Sequence, residues 1–515
     1  MKSKSLLIVL VILLSTILQA QPGTVNFTPK QELIDGPLVK KTLIVPSKFK
    51  GLIDTTYTVN LPSSYQASVF YIGGLSKPRV LEISPKGVLH VIDYKNNGSI
   101  YALPDKNNDD VADSLIPVVT GVNAHCFKFY QNNIYVAEET RILKCSDLDL
   151  DGFFETKETL IDSIGLRGNH IGGGHTTRTI LIDEINNKLY VSIGSSANVV
   201  RDQGRALIEQ YNLDGTGRKV FATGIRNAVG MAFDPIFGNL WANNNGSDQQ
   251  GNNIPPEWIS VIEDSGFYGY PFAYGNQVWF NMEAHADYRS IKPITLADTL
   301  LVNTMQEPGG LIQAHSAPME LEYSHDAYPK FYTGFFTTLH GSWNRTPATG
   351  YKLIYLKIDP GMPYKKITSY TDFMTGFLTD SITRSYWARP VGLAIQERSF
   401  QKPDIYISSD AGNTFVLKLT CVGGLTPCDN TIGINETNKK EINAYPNPFH
   451  TEIYLSSTIE DVEQVCLINT LGVAQIIDYN KINHKLTVPE IAAGIYLLQV
   501  KTTQGVYIQK VLHQE

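Results

Sequence analysis

Five cysteines in 515 residues are too few for a disulfide-built scaffold. None of their spacings makes a zinc site, and no Cys-x-x-Cys-His haem attachment occurs. Electrons released by any redox chemistry must therefore leave to a separate partner. Charge is sparse: Asp, Glu, Lys and Arg make up 18%, with a net charge of −7. No basic block appears, which argues against nucleic acid. After the N-terminal leader no run is long and apolar enough to cross a bilayer, which takes about 20 residues. Long helical periods are scarce as well.

What is plentiful is glycine (41), tyrosine (27) and proline (26), over a hydrophobic content of 43%. That composition favours a turn-rich, all-β globular chain, and the length implies two or more domains. Residues 1–20 read as a secretory signal: Lys2 and Lys4, an apolar Leu6–Leu18, and Leu18-Gln19-Ala20 as the cleavage site. No cysteine follows that site, so a lipid anchor is not expected there. Export exposes the protein to oxidising conditions. Cys421 with Cys428 closes a short loop and is the favoured disulfide; Cys126 with Cys145 is a second, less favoured pairing.

A phrase recurs along the chain: an alternating apolar run, a turn, then a second alternating run. Copies open at Val80, Cys126, Thr179 and Val229, steps of 46, 53 and 50 residues. A looser copy runs from Met319 to Leu339, and the last from Val391 to Ile407. Strand repeats of about 40–50 residues indicate propeller blades, so a six-bladed β-propeller is expected over residues 21–420. An array of sandwiches is the alternative. Asn252 to Ala314 reads as a functional insertion.

Two acidic loops lie between early blades. Asp147, Asp149, Asp151 and Gly152, with Glu158 twelve positions in, follow the EF-hand spacing and point to a structural calcium ion. Asp105, Asn107, Asp109 and Asp113 are similar but have no closing glutamate. A solvated acidic turn is the plain reading of both.

Residues 421–440 are rich in Gly, Thr, Asn and Pro and read as a linker. Residues 441–515 form a small unit of alternating strands, read as an Ig-like β-sandwich near the lower size limit for independent folding. Its Tyr445-Pro446-Asn447-Pro448, Gly494-Ile495-Tyr496 and Lys510 closely resemble the C-terminal sorting domain of the type IX secretion system. That resemblance implies export across the outer membrane, to the cell surface or beyond. A spacer or carbohydrate-binding sandwich is the alternative.

The densest chemistry lies between Gly168 and Gly275. Glycines let backbone approach a ligand; His170 and His175 can move a proton near neutral pH. Arg226 offers a fork for a carboxylate, and the acids and carbonyls nearby can hold a hard cation. Across residues 61–419 the chain resembles the glucose/sorbosone dehydrogenases, which use pyrroloquinoline quinone. The carriers are Gly173–Arg178, Leu189–Ser196, Gly224-Ile225-Arg226-Asn227, Pro255-Pro256-Glu257, Tyr268-Gly269-Tyr270-Pro271, His340–Arg345 and Trp387-Ala388-Arg389-Pro390. Each is short; their order is what is specific.

The resemblance implies His175 as catalytic base, with His170 as the competing histidine. It implies Arg226 and Asn227 as the cofactor-binding pair, with Arg345 and Arg389 near further cationic positions. Arg79 is a candidate for the same funnel. The bland reading of each arginine is a salt bridge between blades. Calcium is expected on backbone near Gly246 and Ser247, and a second ion near Glu257 and Tyr268. The glucose-specific enzymes have proline after that glycine and adjacent acids further on. Here Ser247 follows Gly246, and Pro256 precedes Glu257, a pattern nearer the sorbosone or pyranose branch. The expected substrate is a sugar or sugar aldehyde. A calcium-dependent lactonase would need several side-chain carboxylates around a central ion, and a non-catalytic glycan- or protein-binding propeller would lack converging arginines.

Overall fold

The computed structural model describes residues 30–31, 37–164, 172–235, 237–324, 334–358, 365–398, 401–421, 440–441 and 444–514, the last with short interruptions at 457–460, 470–473, 489–490, 492 and 503–504. The expected leader, the linker with Cys428, and His170 lie outside the described residues.

Strands dominate, as the composition implies. Among the described residues the helices are Ala286–Arg289 and Leu296–Asn303, with one 3-10 turn at Ser47–Phe49. Two compact units are present, the second made mostly of residues 420–515.

In the first unit the strands form successive antiparallel meanders. Sheet 1 runs Pro78–Ile83, Leu89–Asp93, Gly98–Leu103 and Ile116–Val122. Sheet 2 runs Cys126–Tyr130, Asn133–Ala137, Ile142–Ser146 and Thr156–Ile161. Sheet 3 runs Arg178–Asp183, Lys188–Ile193, Leu207–Asn212 and Lys219–Thr223. Sheet 4 is Met231–Phe233, Leu240–Asn244, Glu257–Val261 and Gly310–Ile312. Sheet 5 is Pro318–Ser324, Gly334–Leu339, Lys352–Ile358 and Ile367–Met374. Sheet 6 is Ala388–Arg398, Gln401–Gly412 and Phe415–Cys421, and its fourth strand is Tyr65–Ile72 from the other end of the unit. Start and finish of the unit thus share one sheet. Each of the six recurring phrases falls on the first two strands of a sheet.

Burial follows position within a sheet. Leu89–Asp93 and Glu257–Val261 are buried at every residue, while the outer strand Thr156–Ile161 is mostly exposed. A strand covered on both faces reads as a continuous apolar run rather than an alternation. Neighbouring sheets pack face to face: Ile92 and Ile100 on Phe127 and Ile134, Tyr135 and Ile142 on Ile180 and Leu189, Tyr190 and Ile208 on Met231 and Trp258. Trp241 and Ile259 pack on Phe335 and Ile354, and Phe70 and Tyr406 on Leu81 and Leu89.

A polar seam accompanies this packing. A side chain on the second strand of one sheet donates to a carbonyl at the first strand of the next. Ser192 Oγ donates to Ala228 O (2.6 Å), Asn243 Nδ2 to Met319 O (2.5 Å), Thr338 Oγ1 to Val391 O (2.5 Å) and Ser408 Oγ to Arg79 O (2.6 Å). The first strands also meet across a centre. Lys128 of sheet 2 lies 2.6 Å from Glu82 of sheet 1 and 3.5 Å from Glu322 of sheet 5. Sheets 1, 2 and 5 thus meet at one point.

Two expectations need correction. The Asn252–Ala314 stretch is not one insertion, because Glu257–Val261 and Gly310–Ile312 are strands of sheet 4. The added segment lies between them and builds its own core from Phe272, Phe280, Tyr288 and Val302. Cys126 and Cys145 are both free; they sit on the first and third strands of sheet 2, with Asn133–Ala137 between them.

In the second unit, strands including Val462–Asn469, Gly494–Thr502 and Gly505–His513 form one sheet, and Ala444–Tyr445, Glu452–Leu455, Asp478–Asn480 and Lys485–Thr487 another. Phe449, Ile453, Leu486, Leu498 and Val500 share a core.

Candidate active site

His175 precedes the first strand of sheet 3, at the end of the glycine run. Gly174 N–H donates to Ser196 O (2.6 Å). A Cβ on Gly173, whose φ is +82°, would lie 2.4 Å from that same oxygen. Only glycine therefore lets the run close against Ser196. Gly194 serves the neighbouring contact: a Cβ there would strike Asn227 Oδ1 at 2.5 Å and His175 Cβ at 2.6 Å. Its absence is what lets the histidine and Asn227 approach each other.

His175 Nδ1 lies 2.9 Å from Ser195 O and 3.0 Å from Ser195 Oγ. A carbonyl only accepts, so Nδ1 carries the proton. Ser195 Oγ donates to Ala197 O (2.7 Å) and is left as an acceptor on the histidine side. The neutral ring therefore carries its lone pair on Nε2. Burial, reinforced by the Arg226 and Arg205 charges against the bond to Ser195, holds the imidazole down at about 4. At neutral pH it is an unprotonated base.

Arg205 is buried and fastens this loop. Its guanidinium donates to Gly194 O (2.8 Å), Gly172 O (2.7 Å) and His175 O (2.6 Å). Arg178 Nη1 donates to His175 O as well (2.9 Å).

A cavity of about 390 Å³ opens here, lined by His175, Arg226, Asn227, Arg79, Gly246 and Glu257 among others. Arg226 Nη2 is 3.1 Å from Asn198 Oδ1 and 3.6 Å from Asp248 Oδ2, which fixes its fork. Glu257 is 2% exposed, and its carboxylate accepts from Gly246 N–H. Burial, opposed by that bond and by His315 and Arg226, lifts it to about 7. Asn344 Oδ1 is buried without a hydrogen-bond partner among the described residues, and Asn344 lines the cavity.

The candidate residues do not all arrive. Arg345 donates to the Asn252 and Pro347 carbonyls and does not line the cavity. Arg389 stands one layer back, holding the His340 (3.1 Å) and Gly341 (2.7 Å) carbonyls. Ser247 Oγ accepts from Tyr288 (2.8 Å). Tyr268 is packed on Trp258, and its hydroxyl donates to Val261 O (2.7 Å). In the acidic loop, Asp147, Asp149 and Asp151 gather with Glu155, not with Glu158. Glu158 lies on the next strand, 3.4 Å from its cross-strand partner Lys144. The Asp105 loop forms no such group among the described residues; Asp105 and Asp113 accept from backbone N–H groups instead.

Asp410 and His315, by contrast, were not among the candidates that the sequence offered. His340 Nε2 lies 2.8 Å from Asp410 Oδ1, and Arg79 Nε 3.6 Å from Asp410 Oδ2. His315 Nδ1 is 3.6 Å from Asp248. Burial would lower His315, but the Asp248 carboxylate and the Gly251 carbonyl outweigh it and raise it. These groups come from separate sheets, and no local pattern joins them.

Sheets and cavity together define a β-sheet enclosure with buried histidines and a cationic, oxygen-rich wall. The chain belongs to the TrAA12-like family, which matches residues 59–420. Residues 443–514 match the secretion system C-terminal sorting domain. An uncharacterized protein of Borreliella burgdorferi is 27% identical over 388 residues, 73% of this chain and 94% of that protein. The pyrroloquinoline quinone-dependent pyranose dehydrogenase of Coprinopsis cinerea is 23% identical over 431 residues, 72% of this chain; the chain spans 56% of that enzyme's length. Among solved structures, the holo pyrroloquinoline quinone domain of the Coprinopsis cinerea pyranose dehydrogenase superposes with a TM-score of 0.58 at 20% identity, covering 74% of this chain and 100% of that one. A calcium structure of a Trichoderma reesei enzyme of family AA12 gives 0.58 at 20%, covering 72% and 99%. At such identities the structural likeness concerns the fold.

Proposed function

We propose that this chain is an exported, pyrroloquinoline quinone-dependent sugar dehydrogenase, a six-bladed β-propeller followed by an Ig-like sandwich. One observation carries the reading: in a chain of the TrAA12-like family, His175, Arg226, Asn227, Arg79 and Glu257 reach one cavity from different sheets.

The cavity suits such a cofactor. Its volume is in the range of small-molecule sites, about 300–1,000 Å³. Two guanidiniums match a ligand with several carboxylates, and the unpartnered Asn344 Oδ1 awaits a donor or cation. Glu257 with the Gly246 and Ser247 backbone makes a hard-oxygen set for calcium. When bound, the quinone beside calcium supplies an electrophilic carbonyl that accepts hydride.

The chain's own residues do the rest. Arg226, Asn227 and Arg79 orient the cofactor. His175 takes the proton of the sugar hydroxyl on Nε2 as the carbon–hydrogen bond breaks. Arg205, Arg178 and the Ser195 carbonyl hold the ring in place. Arg389 acts through the His340–Gly341 backbone. The substrate class is an aldose or sugar aldehyde, and the electrons pass to a separate acceptor. The sorting domain directs the protein through the type IX secretion machinery to the surface or exterior, after a signal peptide at residues 1–20. Only two carboxylates, Asp248 and Glu257, line the cavity among the described residues, fewer than a calcium-dependent lactonase needs.

The test is reconstitution of the full chain with calcium and pyrroloquinoline quinone, followed by reduction of a phenazine or indophenol dye with aldoses. Dye reduction that requires both additions supports the reading. Failure to retain quinone at micromolar concentration refutes it.

A further inference from the structure

We propose that the loop Asp147–Glu155, between the third and fourth strands of sheet 2, is a second cation site, taking calcium or a comparably hard divalent ion. It is independent of the cavity, which none of its residues lines.

Asp147, Asp149, Asp151 and Glu155 each offer a carboxylate oxygen, and these oxygens all lie within 4.8 Å of one another. No Lys or Arg is ion-paired with any of the four among the described residues. Four like charges at that separation repel unless a cation lies among them.

The second observation is Asp147 itself. It is 8% exposed. Its Oδ2 accepts from Gly152 N–H (2.9 Å). Its Oδ1 is buried and has no hydrogen-bond partner among the described residues. A buried carboxylate oxygen without donor or cation is costly, and the other three carboxylates, all exposed, keep the approach open to solvent. Oxygen-only ligands favour a hard ion over a soft one. Backbone N–H groups brace the set: Leu148 donates to Glu155 (3.0 Å) and Phe153 to Asp151 (2.7 Å). The fourth carboxylate is at position nine of the loop. Position twelve, Glu158, is engaged by Lys144. The ion would tie Ser146, the end of one strand, to Thr156, the start of the next.

Calcium binding to the chelator-treated full chain, without quinone, tests this by equilibrium dialysis and by the calcium-dependent rise in melting temperature. Asp149→Asn with Asp151→Asn should lose one bound calcium and most of the loop's share of the thermal rise. Glu155→Gln, nearly isosteric, should weaken that site at least tenfold, and Glu158→Gln should leave it unchanged. Glu257→Gln should keep the loop site, so failure of the cavity reading and of this one are separately visible. Equal stoichiometry and affinity in wild type and double variant overturns the site. Equal loss from Glu158→Gln and Glu155→Gln overturns the ninth-position assignment.

Discussion

His175 Nδ1 lies 2.9 Å from the carbonyl oxygen of Ser195, and this bond selects the ring nitrogen that is free to act. Because the carbonyl can only accept, Nε2 is the basic atom. His175→Ala should lower kcat for dye reduction by about 10²–10⁴-fold, the usual worth of a positioned base, while quinone binding, followed by absorption, persists. Ser195→Ala keeps the carbonyl and should cost only a few-fold.

The same burial sets the acid limb. His175 is held near 4, so protonation disables it only below that pH. The rate of the chemical step should climb as pH rises through about 4 and owe no limb to this residue between 5 and 8. A single-turnover limb near 6.5 that vanishes in His175→Asn would contradict the desolvation argument.

The arginines separate by where their forks end. Arg226 and Arg79 line the cavity; Arg345 is engaged by carbonyls outside it. Arg226→Lys should weaken quinone binding by about 10–100-fold, since a point charge replaces a two-pronged donor. Arg345→Ala should change it less than threefold. Quinone titration of the two variants side by side decides this.

How much of this was legible in the sequence follows from range. Period-two alternation is local, so all six strand pairs could be read from runs such as Thr179–Ile182 and Leu189–Ile193. The glycine run and Arg226 stood out because their spacing is local too. The fork of Arg345 could not be placed, because its destination depends on how two distant loops pack. Nor could Arg205, whose three carbonyl partners are gathered only by the fold. Glu158 was misplaced for a simpler reason. Loop spacing put it at the closing position, but the strand Thr156–Ile161 begins first and turns it toward Lys144.

Acid should loosen the packing of the sheets. His90 is buried and His125 half-buried; their imidazoles are pushed down to about 4 and about 3, both chiefly by desolvation. The unfolded chain titrates them near 6.5, so between that pH and their folded values only the unfolded state takes up the proton. Stability from these groups is present above 6.5 and is lost as pH falls toward 3–4. Replacing His90 with Gln should flatten the fall in melting temperature between pH 6.5 and 4. An unchanged slope would mean that His90 is protonated in the native protein.

The seam between sheets predicts a loss that is structural rather than catalytic. Asn243 is fully buried; its Oδ1 accepts from Gly230 N–H (2.9 Å) and its Nδ2 donates to Met319 O (2.5 Å). Asn243→Ala leaves a donor and an acceptor unpaired on adjoining sheets, at about 1–3 kcal/mol each. Thr338→Val removes the hydroxyl that Val391 O accepts while keeping the side chain's volume, and should cost about 1–3 kcal/mol by the same reasoning. Thr338→Ser retains the hydroxyl and should cost less. Urea midpoints for the three variants should therefore fall in the order Thr338→Ser, Thr338→Val, Asn243→Ala, from the most stable to the least. Equal midpoints for the two Thr338 variants would show that losing the hydrogen bond costs no more than losing the methyl group, against the bond's holding sheets 5 and 6 together.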